Sequence, residues 1–256
     1  MRYTTLILSL LALIACSESG KESNKNRADS TQVSIDTVFS SACFDLKDFK
    51  KLELPLKIDS TYILQVDTSD KVHYYQIRNL KSYFPDTLFK TGLHSMINEF
   101  CEIDSLKENG AFEEYLKKID IGMTKSSIAF KIGYLTLPTG TNVFLWGIEY
   151  SSYEACPYFS GKILVATYVN ESGKNSSFLI AESSGAGDPP ATGKTDLWCT
   201  ITKEGSFQMN GINVSDDIDV PGVETETRTT RIDLSKNTFS MDEIKTLVAD
   251  DEYTTP

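Results

Sequence analysis

From Ser126 onward the chain repeats one pattern, and that pattern limits the folds open to it. Seven runs rich in β-branched and aromatic residues occupy 128–137, 142–150, 162–169, 177–181, 197–203, 206–212 and 225–234. Residues such as these fit a pleated, half-buried surface. Between several of them lie brief clusters of turn formers: Pro138-Thr139-Gly140-Thr141, 170–175 and Lys203-Glu204-Gly205-Ser206. Glycine, asparagine and proline supply the backbone angles that tight turns need. Runs joined this closely return as hairpins, whereas parallel strands need long crossovers. The fold class expected is mainly β (α+β). Its centre is an antiparallel meander sheet over 126–235, sandwich- or barrel-like.

The region before it, 35–125, reads as α+β. Tyr62–Val66 and Val72–Ile77 are aromatic and β-branched, and read as short strands. Leu88, Phe89, Leu93, Met96, Ile97 and Phe100 fall at helical spacing, as do Phe112, Tyr115, Leu116 and Ile119. That spacing predicts one or two short helices around 88–118, broken near Asn109-Gly110. Asp242–Ala249 reads as a terminal helix, and 253–256 as a frayed end. Together 35–252 make a single globular domain.

The N-terminus is of another kind. Arg2 is followed by an apolar run from Leu6 to Ala15. A charged start and a short apolar stretch form the signal-peptide pattern. The stretch is about half the ~20 residues that span a bilayer. Leu13-Ile14-Ala15-Cys16 resembles the lipobox of bacterial lipoproteins. That resemblance implies removal of residues 1–15 and lipidation of Cys16 on its thiol and new amine, palmitate included. An ordinary secretory peptide with a chance cysteine is the competing reading. One acyl chain holds a protein to a membrane only marginally, and each buried methylene adds about 0.8 kcal/mol. Several chains on Cys16 would therefore anchor the protein without help from its surface. Residues 16–34 hold no large apolar side chain apart from Val33 and read as a flexible tether. Ser17, in place of a retaining aspartate, points to the outer membrane rather than the inner one.

The formal charge is −11, and removal of residues 1–15 takes away Arg2 and no acid, leaving −12. Nucleic acids are held through counterion release onto Lys and Arg. No basic stripe is present, so nucleic acid is excluded as a partner. Four cysteines besides Cys16 remain: Cys43, Cys101, Cys156 and Cys199. An even set in an exported chain permits two disulfides in three pairings. Cys43–Cys101 with Cys156–Cys199 is favoured, because each pair stays within one region. Buried free thiols are the alternative.

Several motifs suggest chemistry. Asp188-Pro189-Pro190-Ala191-Thr192-Gly193-Lys194-Thr195 resembles the phosphate-binding loop of ATPases. Asp188 stands where a glycine is required, however, and a strand rather than a helix N-terminus follows. Cys156 would need a partnered histidine to act as a nucleophile, and only His73 and His94 exist. Neither histidine sits in a metal-ligand pattern. Asp216, Asp217 and Asp219 form an acidic loop whose oxygens are candidate Ca²⁺ ligands, without EF-hand spacing. An acidic run is ordinarily a solvated loop. Trp146, Tyr150, Tyr153, Tyr158 and Trp198 are candidates for a sugar-contacting face, against the ordinary role of core or cross-strand partners. No catalytic residue, cofactor site or firm metal site emerges.

The signal, the 54–59 stretch, Tyr83-Phe84-Pro85 and the hairpin-rich second half together resemble uncharacterised bacterial lipoproteins. The resemblance implies a lipid-anchored cell-envelope protein with the membrane as one partner. The first functional expectation is a non-enzymatic binding or structural module that meets an envelope protein or glycan. The second is a hydrolase or carbohydrate-active lipoprotein with a site hidden in the sequence.

Overall fold

The computed structural model describes residues 43–80, 90–118, 124–153, 158–171, 173–188, 191–216 and 223–249. All lie in the compact unit Phe39–Pro256. The stretches read from the sequence as a signal and a tether, with Cys16 between them, lie outside the described residues.

A 3-10 turn at Leu46–Asp48 and strand β1 (Leu56–Ile58) come first. Four helices follow: α1 (Ser60–Gln65), α2 (Tyr74–Ile77), α3 (Lys90–Glu108) and α4 (Phe112–Lys118). The meander is then β2 (Thr124–Thr136), β3 (Asn142–Tyr153), β4 (Tyr158–Val169), β5 (Asn175–Asp188), β6 (Ala191–Ile201), β7 (Ser206–Asp216), β8 (Val223–Asp233) and β9 (Thr238–Ala249). Strands β2 to β9 pair in sequence order, every pair antiparallel, and the sheet does not close into a barrel. Each of the seven runs expected from the sequence forms a strand, and most strands extend beyond the run that announced them.

The sheet divides at its middle. Only the second half of β5, Glu182–Asp188, pairs with β6. Along the other half of β6, β1 takes the vacated edge, with Leu56 opposite Ile201 and Ile58 opposite Cys199. The outer edge of β2 is also covered. Leu52 N donates to Tyr134 O, and Tyr134 N to Lys50 O, each at 2.8 Å. Val72 N donates to Ala129 O at 2.9 Å. Covering an edge in this way removes a template for unwanted pairing.

Strands β3 and β4 are buried on both faces. Val143, Leu145, Leu164 and Ala166 join a core with Ile58, Phe178, Phe207 and Ile232. Phe144, Trp146, Ile148, Ile163 and Val165 join a second core with Ile77, Leu93, Ile97 and Phe100. Helix α3 supplies that second core from residues three and four apart, the apolar stripe of an amphipathic helix.

Three expectations are corrected. Tyr62–Val66 and Val72–Ile77 are largely helical, in α1 and α2. Local caps decide them. Asp59 Oδ1 accepts from Tyr62 N at 3.0 Å, and Gln76 Oε1 accepts from His73 N at 2.9 Å. Asp242–Ala249 is strand, within β9. A turn with Asn237 at φ 49° sends the chain back along β8, where Met241 meets Thr230 and Leu247 meets Thr225. Of the helical region expected at 88–118, the described part from Lys90 does form, with Gly110 at φ 70° in the break, although α3 is 19 residues long rather than short.

Candidate functional site

Strand register brings one row of residues side by side. Ile163 on β4 faces Glu182 on β5, Glu182 faces Leu197 on β6, Leu197 faces Gly211 on β7, and Gly211 faces Arg228 on β8. Directly opposite residues share a face of the sheet. Two residues along, the next row reads Gly161, Ser184, Thr195, Asn213 and Glu226. Leu93 and Met96 of α3 close over the first row. Between them lies a cavity of about 290 Å³, lined also by Leu179, Thr195 and Asn213. Small-molecule sites commonly measure roughly 300–1,000 Å³, apolar with a few convergent polar groups.

Gly211 opens the floor of this cavity. A Cβ there would lie 3.1 Å from Leu197 Cδ1 and 3.4 Å from Arg228 Cγ. The missing side chain lets both neighbours lean over the strand.

The polar groups form a directed set. The Tyr150 hydroxyl hydrogen-bonds to Ser184. Ser184 Oγ in turn donates to Glu182 Oε1 at 2.6 Å. Arg228 Nη2 donates to Glu226 Oε1 at 2.6 Å, and Thr195 Oγ1 donates to Asn213 Oδ1 at 3.0 Å. Asp196 alternates to the other side of β6, held by Ser183 at 2.9 Å and Lys194 at 2.6 Å. Burial pushes the Glu182 carboxyl up from its ordinary value and the Asp196 charge adds to the rise, while the hydrogen bond from Ser184 and the charge of Arg228 offset part of it. Burial also raises the Tyr150 phenol to about 12, with the Glu182 and Glu99 charges adding to it. A second cavity of about 220 Å³ adjoins, lined by Met96, Glu99, Ser127, Ile148 and Tyr150.

A carboxyl with a raised folded-state pKa binds more protons in the native than in the unfolded state between the two values. Stability therefore falls as pH rises through that interval, and the loss persists above it. Glu182→Gln removes the ionisable group. The melting temperature of Glu182→Gln should gain on wild type as pH rises above the ordinary carboxylate range, and the gain should persist at higher pH. A gap that stays flat, or moves in favour of wild type, would show that the folded protein favours the Glu182 charge.

The residues singled out in the sequence are dispersed. Gly185 faces Lys194, Ala186 faces Gly193 and Asp188 faces Ala191, so the phosphate-loop look-alike is the end of the β5–β6 hairpin. Pro189 and Pro190 lie outside the described residues. Cys43, Cys101 and Cys199 are free thiols, so neither favoured disulfide is formed in the structure; Cys156 lies outside the described residues. Cys199 is buried within β6 opposite Ile58 and Met209. Cys101 Sγ, on α3, donates to Tyr74 O at 3.8 Å. Burial raises the Cys43 thiol to about 12 and, with the Asp104 charge, Cys101 to about 11. Thiols this weakly acidic are poor nucleophiles.

Asp216 ends β7 opposite Val223, while Asp217 and Asp219 fall outside the described residues. Among the described residues no group of His, Cys, Asp and Glu gathers to hold a metal. His73 stacks on Tyr75 with ring centroids 5.3 Å apart; the side chain of His94 is not described. Trp146 is fully buried, which removes it from any sugar-contacting face. Trp198 is half-buried, and the side chains of Tyr153 and Tyr158 are not described. A shallower groove of about 1080 Å³, lined by Phe44, Tyr75, Thr141 and Asn175 among others, borders Cys43, where the described chain begins. Among the described residues no helix is long and apolar enough to cross a membrane.

Glu182, Ser184 and Arg228 went unread in the sequence. One signal pointed to the first: an acid directly after the apolar run Phe178-Leu179-Ile180-Ala181. No protein-family model, curated protein or solved structure matches this chain.

Proposed function

We propose that the chain is a lipid-anchored envelope protein, held at the outer membrane through Cys16, whose β domain binds a small ligand rather than transforming it. The observation that supports this reading is the cavity beneath α3. It sits on hydrogen-bonded strands, and Leu93, Met96, Ile163, Leu179 and Leu197 line it around the Glu182 carboxylate. Sites built on strands hold their geometry better than sites on loops. The Tyr150–Ser184–Glu182 chain orients that carboxylate before anything arrives. The lipid carries the membrane attachment, which leaves this face of the domain to a soluble partner.

The test has two parts. In Cys16→Ser the protein should leave the membrane pellet and lose the mass of its acyl chains; unchanged fractionation and mass would overturn the anchor. Native mass spectrometry of the wild-type chain extracted from envelopes should show a small bound mass. Met96→Trp, which fills the cavity, should lack it. A wild-type chain free of any such mass would overturn the binding reading.

A further inference from the structure

We propose that the cavity beneath α3 selects a small organic cation, a primary ammonium group against Glu182 with a short apolar body between Leu93, Met96 and Leu197. This deepens the binding reading above and rests on it.

The charges around the cavity carry the argument. Five ionisable groups belong to its wall and its approach: Glu182 on β5, Asp196 on β6, Arg228 and Glu226 on β8, and Glu99 on α3, which borders the adjoining cavity; Asp196 is engaged by Lys194 at 2.6 Å. Arg228 is already engaged by Glu226 at 2.6 Å. Glu182 has no such partner. Among the described residues its one hydrogen-bond donor is Ser184, on Oε1, which leaves Oε2 for a ligand. Arg228 offsets the burial of Glu182 only in part and makes no direct ion pair with it, and a carboxylate drawn out of water is costly unless a donor or cation meets it.

Three ligand classes then separate. An anion would approach Glu182, Glu226 and Glu99 while competing for a guanidinium already in use. A wholly apolar molecule would strip the remaining water from Glu182 and offer nothing in return. A primary ammonium supplies three N–H donors and one positive charge, and its hydrogen bonds to a carboxylate are roughly twice as strong as neutral ones. The aliphatic lining takes the rest of the molecule, and a cavity of about 290 Å³ holds a short one.

The experiment uses the mature lipidated chain in nanodiscs of zwitterionic lipid, with empty nanodiscs as the blank. 2-Phenylethylammonium, 3-phenylpropanoate and 2-phenylethanol are titrated separately by calorimetry. The ammonium should bind, and the other two bind more weakly or not at all. In Glu182→Gln the ammonium should lose about tenfold or more in affinity. Cooperative melting of that variant, already expected at or above the wild-type temperature near neutral pH, separates lost binding from lost folding. Tighter binding of the propanoate would place the anchor at Arg228 and overturn the proposal. Equal binding of the alcohol, or undiminished affinity in Glu182→Gln, would overturn it as well. So would binding of none of the three; that result would leave a bound mass from envelopes unexplained but real, so the ligand class and the binding reading fail separately.

Discussion

Replacing Trp146 by alanine is expected to destabilise the domain by about 3–5 kcal/mol. Total stabilities of single domains run to about 5–15 kcal/mol, so a loss of that size brings the variant close to unfolding at growth temperature. The indole is fully buried on β3. Its Nε1 donates to Thr167 Oγ1 on β4 at 2.9 Å, and the Thr167 and Ser177 hydroxyls, on β4 and β5, are hydrogen-bonded to each other at 2.8 Å. One side chain thus ties three strands together inside the core. Across from it the Phe44 ring stands 6.1 Å away, centroid to centroid, so the same indole anchors the segment that leads into the domain. Alanine would leave a cavity between strands that cannot collapse, because β3 is packed on both faces. Trp146→Phe separates the contributions: it keeps most of the volume, strands the Thr167–Ser177 pair without its donor, and should cost about 1–3 kcal/mol. Urea unfolding measures both. An alanine variant within about 1 kcal/mol of wild type would mean that the second core is not what holds α3 and the N-terminal segment to the sheet.

The legibility of the fold follows the range of the forces behind each part. The meander was readable because strand alternation and turn chemistry are local, and each hairpin needs only its two flanking runs. The short helices were not. Six and four residues are too few to show a 3.6-residue period, and Asp59 and Gln76 cap α1 and α2 through hydrogen bonds at their first turns. The end of the chain failed for the opposite reason. Ile244, Leu247 and Val248 sit at helical spacing, yet the turn at Asn237 delivers them to the free edge of β8, and tertiary pairing overrode the periodicity. An even cysteine count carries no geometry: Cys43 precedes the first element, Cys101 lies on α3, and Cys199 is a free thiol buried in a core, where it behaves as a small apolar side chain.

The cavity was illegible for a further reason. Glu182 acquires its meaning from Ile163, Leu197, Gly211 and Arg228, which come from four different strands, and from α3 earlier still in the chain. A slip of one residue in the pairing of β5 with β6 would send Glu182 to the opposite face and empty the row of its charge. The β4–β5 ladder contains a register shift at Leu164/Val165, next to the row. Bulges of this kind re-aim side chains and cluster near functional sites. Here the shift puts Ile180 and Ala181 together in the first core and leaves Glu182 to face the cavity, a placement no local pattern announces.

Gly147→Ala adds one carbon and should destabilise the domain by about 3 kcal/mol. The added Cβ would lie 2.5 Å from Phe130 Cζ, 2.7 Å from Ile163 O and 2.8 Å from Leu164 Cδ2. None of the three can retreat cheaply. Phe130 and Leu164 are fully buried in the first core, and Ile163 O belongs to the backbone of β4, the neighbouring strand. Gly147 faces Phe130 on β2 and Leu164 on β4, so the clash sits in the middle of a three-strand ladder where interior packing leaves no slack. Gly185→Ala is the matched control. The nearest atom to its Cβ is Gly193 O at 3.7 Å, ordinary contact, and that variant should stay within about 1 kcal/mol of wild type. A second-site change tests the cause directly. Phe130→Leu withdraws the atom closest to the new methyl group, so the double variant should recover part of what Gly147→Ala loses, a coupling of about 1 kcal/mol or more. If Gly147→Ala unfolds at the same urea concentration as wild type, β3 is not packed on both faces, and the floor beneath Ile163 and the cavity is looser than this register requires.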